Sequence, residues 1–122
     1  MFVIAGAQDV DMLTQQLQLP NDMPLLTKLR QLDYQRVFAI IVEHGRTGDG
    51  HSVMVQRVTR VGNQVSIQVT RTERDPKIAR RVMVTNPYQV VAVDKGDGWA
   101  QTAHFDFVVD GISMVKVIHS IP

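Results

Sequence analysis

The chain has 122 residues, 44% of them apolar and 20% charged, with a formal net charge of +1 at pH 7. That length can bury a core without cross-links or metal, and the mix of apolar and charged residues is that of a folded globular protein rather than a disordered one. Cysteine is absent, which excludes disulfides, thiolate zinc sites and cysteine nucleophiles, and no apolar stretch reaches the ~18 residues of a membrane-spanning helix.

The opening "MFVIAGAQDVD" is too short for a signal-peptide core and has no basic residue before it. The expected location is cytoplasmic if the chain is the whole protein, and exported or cell-surface if it is a trimmed domain. Phe2, Val3 and Ile4 form a short β-prone run. Two helices are then predicted before Tyr34. In "DVDMLTQQLQL" the residues Val10, Leu13 and Leu17 recur at helical spacing, with Asp9 or Asp11 as candidate cap. After Pro20 and Asn21, "NDMPLLTKLRQL" restarts with Asp22 as candidate cap, Pro24 in the first turn, and Leu25, Leu29 and Leu32 on one face. Helices this short need a larger surface to pack against.

From Val37 the period changes. "VFAIIV" is continuously apolar, as expected of a strand covered on both faces. The next strand switches phase between Val55 and Val58, which predicts a bulge near Gln56 and Arg57. "QVSIQVTRTE" alternates, with Val65, Ile67 and Val69 on one face and Ser66, Gln68 and Thr70 on the other. Gly62-Asn63 suits the two-residue turn between these strands. "RVMVTNPYQVVAVD" reads as two short strands broken at Asn86-Pro87, and "HFDFVVDGISMVKVIHS" as a hairpin tipped at Asp110-Gly111. The expected fold is mainly β: an antiparallel sandwich or barrel of about six to eight strands with one or two short N-terminal helices. Its predicted core includes Val37, Ile40, Val42, Val65, Ile67, Val69, Val91, Val93, Phe105 and Phe107.

The glycine-rich loop "GRTGDG" after the first long strand invites three chemistries. Gly45, Gly48 and Gly50 lead into a β-branched strand, not into the helix N-terminus and lysine that a phosphate loop needs. Asp49, His51 and Ser52 are close in sequence, but adjacent residues on a strand point to opposite faces and no nucleophile elbow surrounds the serine. His44 and His51 flank the loop and, with Asp49, offer a small-molecule or metal site as an alternative reading; His104 and His119 are far away in sequence. Residues 57–81 hold seven basic and two acidic side chains. The stretch "RTERDPKIARR" has no aromatic residue to stack on bases, so a solvated loop is expected there and not a nucleic-acid interface. Trp99 and Tyr88 are expected at the core or its edge.

Two segments together resemble a known family. "TGDGHSVMVQRVTRVGNQVSIQV" and "NPYQVVAVDK" are similar to the C-terminal domain of the PrcB family of protease-complex proteins, which shows a Thr-Gly-Gly-Tyr-Ser-Val-like loop and strand, a hairpin, and a Pro-Tyr-x-hydrophobic-Val strand. Thr47, Gly48, Gly50, Ser52 and Val53 match the first element, and Pro87, Tyr88, Val90, Val91 and Val93 the second. Asp33-Tyr34 also fit. Asp49 stands as an insertion between the glycines, His51 replaces the usual tyrosine, and Arg46 replaces a proline. The resemblance covers residues 33–95, so the chain divides into a helical extension (1–33), a PrcB-like core (34–95) and a C-terminal hairpin (96–122). It implies a non-catalytic module that needs no cofactor, binds a protein partner such as a protease, and presents Arg46, Thr47, Gly48, Asp49, Gly50 and His51 as the partner-binding loop. Ser52, Val53, Pro87 and Tyr88 would be its structural motif residues. Independently, the apolar runs at Phe2–Ile4 and Ile112–Ile121 either cover each other or favour a homodimer.

Overall fold

The computed structural model describes residues 1–43, 47–48, 52–72, 84–85, 88–99 and 102–122. The strands are β1 (Phe2–Ile4), β2 (Val37–Glu43), β3 (Thr47–Gly48), β4 (Ser52–Val61), β5 (Gln64–Thr72), β6 (Val84–Thr85), β7 (Tyr88–Asp94), β8 (Ala103–Val109) and β9 (Ile112–His119). Two helices, α1 (Ala7–Leu17) and α2 (Pro24–Arg30), fall between β1 and β2. The strands form a three-stranded sheet in the order β1-β2-β7, a four-stranded sheet in the order β4-β5-β8-β9, and a small β3-β6 ladder.

The continuously apolar β2 explains the layering. Phe38, Ile40 and Val42 face the four-stranded sheet and join Val65, Ile67, Val69, Phe105 and Phe107 in one core. Ala39 and Ile41 face the other way and join Val10, Leu13, Leu25, Leu26 and Leu29 of the helices in a second core. The result is helices on a three-stranded sheet on a four-stranded sheet, a sandwich with one extra layer. The short helices gain through this burial what their length denies them.

The turn chemistry follows the sequence. Gly62 has φ +61°, while Asp110 and Gly111 both have positive φ, at +51° and +83°; the second pattern is that of a type I′ hairpin. The register of β4 on β5 shifts between Val55 and Arg57, which is the predicted bulge. It lets Val53 and Val55 on one side of the shift and Val58 on the other all reach the core.

Several expectations need correction. One ladder is parallel, β5 with β8. Between these strands the chain leaves for the other two ladders through β6 and β7, so it re-enters beside β5 in the same direction. Of the predicted core, Val37, Val91 and Val93 are only half-buried, because β7 is an edge of its sheet and Val37 is the first residue of its strand. Helix caps also differ. Gly6 occupies the N-cap of α1, and Asp9 in the first turn accepts from the Ala5 N–H at 2.8 Å. Met23, not Asp22, caps α2, because a residue before proline is held extended and the helix starts at Pro24.

Candidate functional site

The structure places the stems of the glycine-rich loop. On one side β2 ends at Glu43, which is in register with Tyr88. On the other β4 starts at Ser52, in register with Thr72 of β5. Between them Thr47 and Gly48 form a two-residue antiparallel ladder with Thr85 and Val84. Arg46, Asp49, Gly50 and His51, together with His44 and Pro87, lie outside the described residues. Ser52 is exposed, Val53 is buried in the sandwich core, and Tyr88 is 44% exposed at the start of β7. Ser52 and Tyr88 therefore belong to different sheets.

Tyr88 borders a small apolar cavity of about 100 Å3 that is also lined by Phe2, Leu17, Leu19 and Met23. The remaining histidines are apart: His104 sits on β8 in register with Ile118, and His119 ends β9 with its Nε2 3.1 Å from Asp9 Oδ2. Among the described residues no group of three or more histidine or acidic side chains could hold a metal ion.

The basic segment is partly absorbed by the fold. Arg60 turns inward, its guanidinium 3.5 Å from the centroid of the Trp99 ring, and donates from Nε to the Gly62 carbonyl at 2.6 Å. Trp99 donates from its indole N–H to the Lys95 carbonyl at 2.8 Å and meets Phe38 edge-on at 5.8 Å. It is half-buried at the rim of the core, as its sequence context predicts. Arg71 lies by Asp110, whose Oδ1 accepts the Arg71 N–H at 3.2 Å. Residues 73–81 lie outside the described residues.

The most distinctive surface is β9. Ile112 is 64% exposed, Met114 54%, Val115 36% and Ile118 65%. Val115 is in register with buried Phe107, and Ile112 with buried Val109, so both stand on the core-facing side of the sheet. They stay exposed because β1 is only three residues long, and the groove it shares with β9 is lined at Val117 and His119. The two runs flagged in the sequence thus cover each other only at that end. The hydrogen bond from Arg71 to Asp110 and the pairing of Ser52 with Thr72 put the loop stem and the β8–β9 tip at the same end of the sheet.

No family model matches the chain, and no curated protein or solved structure does either. No helix among the described residues is long and apolar enough to cross a membrane.

Proposed function

We propose that this chain is a non-catalytic protein-interaction module, and that its partner is a protease or a protein assembled with one. The observation that carries the reading is the apolar exposure of β9 on both faces: Ile112 and Val115 on the core-facing side, Ile118 beside exposed His104 on the other, and Met114 at the bulge between them. Solvent-exposed apolar side chains are ordinary when scattered; gathered on one strand they mark a contact surface. The resemblance of residues 33–95 to the PrcB family supplies the class of partner. The glycine-rich loop, whose stem residue Ser52 starts β4 at the end of the sheet that holds the β8–β9 tip, is the second element a partner would read, since loops held by a rigid sheet commonly carry recognition.

The test is quantitative co-purification of the tagged full chain from its own cells, beside an Ile112→Ser/Ile118→Ser variant. The wild type is expected to bring down a defined partner at least tenfold above the variant, with the two chains melting within a few degrees of each other because both positions are exposed. A Gly48→Ala/Gly50→Ala variant is expected to weaken the same capture and to leave the fold largely intact. Equal recovery by wild type and serine variant would reject the surface.

A further inference from the structure

β9 offers a backbone edge as well as an apolar row. It is the outermost strand of its sheet: β8 takes one side, and among the described residues no strand takes the other. Such a strand presents unpaired N–H and C=O groups at alternate residues. Beside its C-terminal half runs a groove of about 300 Å3, lined by Phe2, Met12, Gln16, Val117 and His119. Within it His119 is tied to Asp9. That leaves Lys116 as the one lysine, arginine or acidic side chain on the strand, and it is exposed.

Two features set β9 against pairing with its own copy. An antiparallel register that overlaps most of Ile112–His119 centres at or beside Lys116, and brings two ammonium groups onto one face within about 5–8 Å, where like charges are destabilising. The ladder with β8 is also irregular between Phe107 and Val108, with Met114 as the extra residue, and a bulge bends the strand that carries it. A foreign strand with a carboxylate opposite Lys116 turns the first obstacle into an attraction and can start beyond the second.

We infer that β9 takes up an extended segment of its partner as an added strand, apolar on the side that meets Val115 and Val117, and bearing an aspartate or glutamate opposite Lys116. This rests on the interaction-module reading above and names the chemistry of its occupant. Main-chain pairing supplies the affinity in this mode, and the side chains opposite supply the choice.

The probe is a pair of octapeptides of alternating threonine and valine that differ in one central residue, glutamate or lysine. They are titrated into the full chain by NMR, with amide hydrogen exchange read along β9 and light scattering on the free chain. The glutamate peptide is expected to slow exchange at alternate β9 amides and to bind about fivefold more tightly than the lysine peptide. Lys116→Glu should invert that order, and Lys116→Gln should abolish it. Equal affinities, no binding of either peptide, or protection confined to other strands would overturn the inference. So would a free chain that scatters as a dimer with β9 already protected, since a second copy would then hold the edge. If the inference fails while co-purification still depends on Ile112 and Ile118, the partner uses the apolar row without adding a strand.

Discussion

Tyr34 shows how a single side chain ties the helical layer to the sheets. Its hydroxyl donates to the Leu29 carbonyl at the end of α2 at 2.6 Å, and its own carbonyl accepts from the Lys95 ammonium after β7. Burial, with a smaller contribution from the negative charge of Asp9, pushes its pKa from 10.0 up to about 12. The neutral phenol is the form the fold prefers, so its stabilisation is fully present below pH 10 and is lost as pH rises from 10 to about 12. Denaturant titrations across that window should show this decline. Tyr34→Phe should remove the Tyr34 part of it, at a cost of about 1 kcal/mol at neutral pH for the lost hydrogen bond. Arg60 is a second such residue. Arg60→Met keeps most of the stem but loses the contact with Trp99 and the bond to Gly62, and should lower unfolding free energy by about 1–2 kcal/mol.

At the scale of elements, the β4 bulge depends on help from the other sheet. The Val55 N–H donates to Gln89 Oε1 of β7 at 2.6 Å, where the ladder to β5 is about to shift. Gln89→Leu would leave that donor unpaired between the sheets and should cost about 1–3 kcal/mol, read as a fall in the urea midpoint with the slope unchanged. The bulge itself was legible, because Val55 and Val58 cannot share a face on a regular strand. Both hairpin tips were legible for a related reason: Gly62 and the Asp110-Gly111 pair are residue types that tolerate positive φ. The partner Gln89 was not, since a long-range hydrogen bond leaves no periodic trace. Nor was the parallel pairing of β5 with β8, which depends on where the intervening strands dock. The cap of α2 is encoded by Pro24, which holds Met23 extended, while Asp22 one residue earlier has the side chain of a conventional cap but no place in the helix start.

For the whole molecule, the three layers leave one flank unfinished. Three-residue β1 and eight-residue β9 end their respective sheets, and the mismatch in length exposes the apolar side of β9 from Ile112 to Val115. The sequence announced that run as apolar on both phases, yet burial depends on what lies opposite, and that is a property of the assembled sheets. The glycine-rich loop was the more conspicuous candidate by composition. The structure adds that its stem stands at the same end of the sheet as the β8–β9 tip and Ile112, so one partner can span the stem and that end of β9. The most direct measurement is photo-crosslinking in the native cell from a benzoylphenylalanine placed at Met114, with the same group at Val61 as control. Val61 is 80% exposed on β4, which ends the opposite side of the same sheet. An adduct with a distinct protein from position 114 and none from position 61 is the predicted result. Adducts of equal yield from both positions, or none from 114, would contradict an interaction surface on β9.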